Sequence, residues 1–142
     1  MGLGGAGCNA IDRMVQCKVK GVTLIAVNTD VQDLKKVRAD QKIQIGKEST
    51  KGLGAGMNPE VGKKAAQESA EELRKALTGS DMVFLAAGLG GGTGGGSIPV
   101  VAEIATSLNA LTVAVVTTPF SFEGAWRARN AAKALEELSH KV

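Results

Sequence analysis

Apolar residues recur along this chain in two periods. VTLIAV (Val22 to Val27), MVFLAA (Met82 to Ala87) and TVAVVT (Thr112 to Thr117) are short, nearly continuous aliphatic runs. Their length and β-branching fit strands buried on both faces, and KIQI (Lys42 to Ile45) is a weaker, alternating candidate. Between the runs the period becomes helical. Asn58 can cap a helix with Pro59 at its first position and Glu60 in its first turn, running to about Leu77 and stopped by Gly79. Ser97 is the expected cap of the next helix, with Pro99 in its first turn and its end near Leu108. The segment after Gly7 begins another, with Ile11, Met14 and Val15 on one face. The last runs from about Gly124 to the end and places Ala131, Leu135 and Leu138 on one stripe.

Alternating strands and helices predict an α/β fold, a doubly wound, mostly parallel sheet in three layers. The ends depart from the pattern. The chain opens on MGLGGAGCNA, a glycine turn entering a helix with no strand before it, and it stops on a helix. The strand feeding the first glycine turn of such a sheet lies in its middle. The reading is therefore a gap there, and a fragment at both ends of doubtful stability alone.

Composition adds three exclusions. At 142 residues the chain fits one domain, and with 44% hydrophobic but 3% aromatic residues its core is aliphatic. Seventeen Lys and Arg against 14 Asp and Glu give a net charge of +3, but the bases are scattered among acids, with no nucleic-acid-binding stripe. Cys8, Cys17 and His140 have no metal-ligand spacing. No apolar run approaches the ~18 residues of a membrane span, so the expectation is a cytoplasmic chain without direct membrane insertion.

The chemistry lies in the glycines. GLGGAG (Gly2 to Gly7) satisfies the dinucleotide pattern G-x-G-x-x-G, and Asp30 follows at nearly the spacing at which an acid grips the ribose of NAD. Two further loops complicate that reading. GLGAGMNP (Gly52 to Pro59) and GLGGGTGGGS (Gly88 to Ser97) each lead into a helix, whose free N–H groups and dipole favour an anion. Three such termini could hold three phosphates. No Walker A sequence is present, since Lys64 stands where Ser or Thr should follow the lysine of GMNPEVGKK.

GGGTGGG, with GLGAGMNPEVGKKAA before it and VNTD, DMVF and TPFSFEG around it, resembles the GTP-binding half of the FtsZ/tubulin family. The resemblance covers the whole chain, residues 1–142, read as part of a GTP-binding domain whose first strand, central helix and C-terminal domain are absent. It implies GTP or GDP with Mg²⁺ as ligands. It also implies a polymer that stacks head to tail, hydrolyses GTP at subunit junctions and forms a mid-cell division ring with accessory and membrane-tethering proteins. By resemblance, Gly5, Ala6, Gly7, Cys8 and Asn9 wrap the phosphates, with Asn9 brought toward guanine. Gly92, Thr93 and Gly94 underlie the α and β phosphates, Ala55 and Gly56 neighbour the γ-phosphate, Glu123 bonds the ribose and Arg127 packs beside the nucleoside.

Gly95 departs from the family's Ser or Thr, Ala6 from a glycine, Thr118 from a common arginine, and Ala125 and Trp126 from two basic residues. NTDVQD (Asn28 to Asp33) fits the family's catalytic NxDxxD letter for letter, but the resemblance puts it in the loop after the second strand. Asp30 is thus expected to shape the chain's own phosphate or cation surroundings. The catalytic acids are expected outside this chain, from the adjacent subunit, so the chain alone is read as inactive and a weak GTP binder at most. Two alternatives stay open: an assembling relative that binds nucleotide without hydrolysis, suggested by Gly95 and Thr118, and a nicotinamide-binding oxidoreductase domain, suggested by GLGGAG and Asp30.

Overall fold

The structure is a computed structural model that describes residues 1–142. In chain order it comprises β1 (Gly2–Leu3), α1 (Gly4–Gln16), β2 (Ile25–Asn28), α2 (Val31–Lys36), β3 (Gln41–Gln44), α3 (Lys47–Thr50) and α4 (Pro59–Glu68). Then come α5 (Ala70–Leu77), β4 (Met82–Gly88), α6 (Thr93–Ser107), β5 (Leu111–Thr117), a 3₁₀ turn (Ser121–Glu123) and α7 (Ala125–Ser139). The strands form one parallel sheet in the order β3-β2-β1-β4-β5. The strand order reverses between β1 and β4, which is where an open α/β sheet leaves a crevice beyond its strand ends.

Alternation within β2 divides the core in two. Ile25 and Val27 face the larger cluster, with Leu73, Leu85, Ile98, Val101 and Leu138 from the layer of α4 to α7. Ala26 faces the smaller one, with Cys8, Ile11, Leu34 and Val37 from α1 and α2. These are the three layers that the alternating pattern predicted. The α1 layer stops short of the sheet's β5 side, leaving Met82, Phe84, Leu111 and Val115 exposed.

Four expectations need correction. The middle of the sheet holds a short strand: Gly2 pairs with Ala26 and Ala86, and Leu3 with Val27 and Ala87. The Met1 amine donates to the Phe84 carbonyl at 2.7 Å and its carbonyl accepts from Ala86 N at 2.9 Å. Two residues, one of them glycine, carry no periodicity, so the pattern left this strand out and α1 starts earlier, at Gly4.

The helix expected to begin after Ser97 begins at Thr93, and Ser97 lies inside it with its hydroxyl donating to the Thr93 carbonyl at 2.6 Å. Glycine is disfavoured in helices by about 1 kcal/mol each; here Gly94, Gly95 and Gly96 are overridden by packing, since α6 lies closely on α4. The helix expected from Pro59 to Leu77 is interrupted at Ser69 (φ −101°, ψ 18°), whose hydroxyl accepts from Gly46 N at 3.1 Å. Its start is as expected, with the Asn58 side chain accepting from Glu60 N at 3.0 Å. Finally, Leu135 on the α7 stripe is exposed, and Ala134 is buried with Ala131 and Leu138 instead.

Candidate functional site

The loops after β1 and β4 meet at the strand reversal. A Cβ on Gly4 would come within 2.7 Å of Gly94 N, so the first turns of α1 and α6 touch and their free amides open on the same space. A crevice of about 850 Å³ lies there. Its walls include Gly5 and Ala6 from α1, Gly91 to Gly94 from the β4 loop, and Asn28 to Asp30 and Asp33 after β2. Pro119, Phe120, Glu123 and Arg127 close the far side. The third glycine loop contributes Gly54.

Each side chain of the Asn28-Thr29-Asp30 turn has a task. The Asn28 carbonyl oxygen accepts from Thr29 N at 2.8 Å and Asp30 N at 3.3 Å, fixing the turn. Thr29 is fully buried and its hydroxyl meets that of Thr93 at 2.7 Å. Asp30 caps α2, its Oδ1 accepting from Gln32 N at 2.9 Å and Asp33 N at 3.1 Å. That cap explains the NTDVQD spacing without a catalytic role: Asp30 starts the short helix that carries Asp33.

Side-chain charge in the crevice is mostly negative, with Arg127 as the one cation against Asp30, Asp33 and Glu123. An anion there must rely on backbone amides and the dipoles of α1 and α6. The lysines of GMNPEVGKK are no substitute: neither lines the crevice, and Lys63 Nζ donates to Glu137 on α7 at 2.7 Å. Glu123 Oε2 accepts from Phe120 N at 2.6 Å, and its Oε1 lies 3.6 Å from Arg127 Nη1. The 3₁₀ turn and the first turn of α7 thus present the acid and the arginine together.

The structure brings Gly5, Ala6, Gly92, Thr93, Gly94, Glu123 and Arg127 onto one crevice. Cys8 and Asn9 line a side chamber of about 360 Å³ that shares Gly5, Asn28 and Asp33 with it. Gly7 is packed behind the wall, where a Cβ would sit 2.3 Å from the Ala86 carbonyl oxygen. Ala55 is buried against Gly92, and Gly56 is exposed at the loop surface with φ 56°. Neither lines the crevice. Thr29 and Gly54 were not singled out by sequence reasoning; for Thr29 the signal was its place inside VNTD, read for its acid alone.

Cys8 carries no reactive signature. Burial pushes its thiol up to about 11, and its S–H donates to the Val27 carbonyl at 3.4 Å. A disulfide-exchange reagent at pH 8 is expected to titrate one thiol per native chain, the exposed Cys17, and both after denaturation. Native reaction of both would contradict the burial of Cys8.

The profile of the tubulin/FtsZ family, GTPase domain, matches residues 1–142. The chain belongs to that family. Cell division protein FtsZ 1 of Thermococcus kodakarensis is 61% identical over 138 residues, 97% of this chain and 37% of the relative. Cell division protein FtsZ of Buchnera aphidicola is 57% identical over 142 residues, again 37% of the relative. Among solved structures, an empty FtsZ dimer from M. jannaschii superposes with a TM-score of 0.98 at 55% identity, covering 99% of this chain and 41% of that one. GDP-bound CetZ1 from Haloferax volcanii gives 0.89 at 29% identity, covering 99% of this chain and 47% of its own. The tubulin/FtsZ fold is thus the fold of this chain, which spans little more than a third of these curated relatives' length. No helix is long and apolar enough to cross a membrane.

Proposed function

We propose that this chain is the phosphate-cradling part of a GTP-binding cytoskeletal protein that stacks head to tail and hydrolyses GTP where subunits meet. The meeting of the α1 and α6 N-termini carries this reading. Two helix termini with amides converging from glycine turns fit a chain of phosphates, and the Gly54 loop stands beside them. Gly5, Ala6 and Gly92 to Gly94 hold the phosphates through their backbone. Thr93 adds a hydroxyl, Glu123 bonds the ribose diol and Arg127 lies over the nucleoside or reaches phosphate. Gly7, Cys8 and Asn9 shape the first loop and its side chamber, while Ala55 and Gly56 support the loop facing the terminal phosphate.

The donor set fits Mg²⁺ entering with the nucleotide. No cluster of three or more His, Cys, Asp or Glu could cage a metal. Mg²⁺ characteristically keeps waters and binds through phosphate plus one or two carboxylates, and Asp30 and Asp33 stand at the crevice. When bound, the cation supplies charge neutralisation on the phosphate oxygens. The residues of this chain then bind and orient; the acids that position water come from the adjoining subunit. In that reading the protein works in the cytoplasm at a mid-cell ring, with division-ring accessory and membrane-tethering partners.

Equilibrium titration with GDP and with NADH tests the site on this chain joined to the remaining two thirds of the Thermococcus kodakarensis relative, because the chain alone is expected to bind weakly at most. Saturable GDP binding without NADH binding is expected, and NADH alone would overturn the proposal. Joining this chain to the remaining two thirds of the Thermococcus kodakarensis relative tests turnover. GTP-dependent phosphate release that disappears on mutating downstream acids is expected, and none above that control would favour the non-hydrolysing alternative suggested by Gly95 and Thr118.

A further inference from the structure

The Thr29 and Thr93 hydroxyls lie 2.7 Å apart at the crevice wall, Thr29 with no exposed surface and Thr93 partly exposed. Only one proton can lie between them. If Thr93 donated to Thr29, the Thr29 proton would be buried with no acceptor, since the hydroxyl of Thr29 makes no hydrogen bond other than the one with Thr93. A buried donor without a partner is costly, and Thr93 would then turn only lone pairs toward an arriving phosphate. With the sense reversed, Thr29 donates, Thr93 accepts, and the Thr93 proton is free to point into the crevice.

We infer that Thr29 is a positioning residue that fixes Thr93 as a hydrogen-bond donor to a phosphate of the bound nucleotide, an inference that rests on the nucleotide reading above. Thr29 touches no ligand itself. Its backbone is held independently of its hydroxyl: the amide donates to the Asn28 side chain at 2.8 Å and the carbonyl accepts from Thr50 Oγ1 at 3.5 Å. The pair also ties the loop after β2 to the first residue of α6, so one side chain sets both the direction of the Thr93 hydroxyl and its position. Hydrogen bonds in such a chain polarise one another, so Thr93 donates more strongly while it accepts.

The test is a double-mutant cycle on this chain joined to the remainder of the Thermococcus kodakarensis relative, read by GDP titration of its amide NMR shifts, which resolves weak as well as tight binding. Thr29→Val keeps the shape and removes the donor. It is expected to weaken GDP binding about tenfold when Thr93 is present, and to change nothing in a Thr93→Val background. Thr29→Ser is expected to bind within about twofold of the unsubstituted chain, since the donor is retained. Equal loss in both backgrounds, or no loss in either, overturns the positioning role while leaving the nucleotide site intact. An unsubstituted joined protein that binds no GDP overturns the nucleotide reading, and this inference with it.

Discussion

Gly96→Ala is expected to destabilise the fold by about 3 kcal/mol, while Gly95→Ala beside it stabilises. The two differ in what a Cβ would meet. At Gly96 it would fall 2.0 Å from the Pro59 carbonyl oxygen and 2.8 Å from Lys63 N, both backbone atoms of α4, so no rotamer change gives relief. At Gly95 the nearest atoms are Gly90 N at 3.7 Å and Ala134 Cβ at 3.8 Å, an ordinary contact. There the helix gains the alanine preference of about 1 kcal/mol. Thermal denaturation followed by circular dichroism should put Gly96→Ala roughly 10 °C below the unsubstituted chain and Gly95→Ala a few degrees above it. Equal melting temperatures would refute the close approach of α4 and α6. That approach matters beyond stability, because Gly62 on α4 is likewise pressed against the Gly92 carbonyl oxygen, 2.2 Å from its own would-be Cβ. The Gly92 loop is therefore backed by α4, and displacing that helix displaces Gly92.

This contact also marks where sequence reasoning stops. The strands β2, β4 and β5 were legible as short aliphatic, β-branched runs, although only β2 is buried on both faces as such runs predicted, and the start of α4 was legible because Asn58 and Pro59 have local capping chemistry. The first turn of α6 was not legible. Its glycines argue against a helix locally; the distant Pro59 carbonyl explains Gly96, and the Gly88 and Leu3 carbonyls explain Gly94. The same division runs through the crevice. Three glycine loops pointed to the candidate anion site, and GGGTGGG with TPFSFEG announced the family. That Ala55 would back Gly92, and that Thr29 would reach Thr93 across 64 positions, depends on how strands are ordered in the sheet. Asp30 was legible as a chemically capable acid, but its cap on α2 needed the helix Val31–Lys36, too short to show a period.

Gly5→Asp should abolish nucleotide binding and leave the fold intact. Gly5 is exposed, lines the crevice, has no heavy atom within 4 Å of a would-be Cβ and sits in the first turn of α1. A carboxylate there meets the same N-terminal dipole that is proposed to attract phosphate, which stabilises the helix by up to about 1 kcal/mol. Toward a phosphate at roughly 5 Å, the same charge repels by about 3 kcal/mol at an effective dielectric of 20. That alone weakens binding by more than ~100-fold, and a second phosphate adds to it. Gly5→Asn has nearly the same volume without the charge, so it should retain most of the GDP affinity and separate repulsion from obstruction. Raising the ionic strength should recover part of the loss in Gly5→Asp and none of any loss in Gly5→Asn. If GDP binds the Gly5→Asp chain undiminished, the anion does not rest on the α1 terminus. The convergence of α1 and α6 would then be a packing solution for the middle of the sheet, with no ligand to explain it.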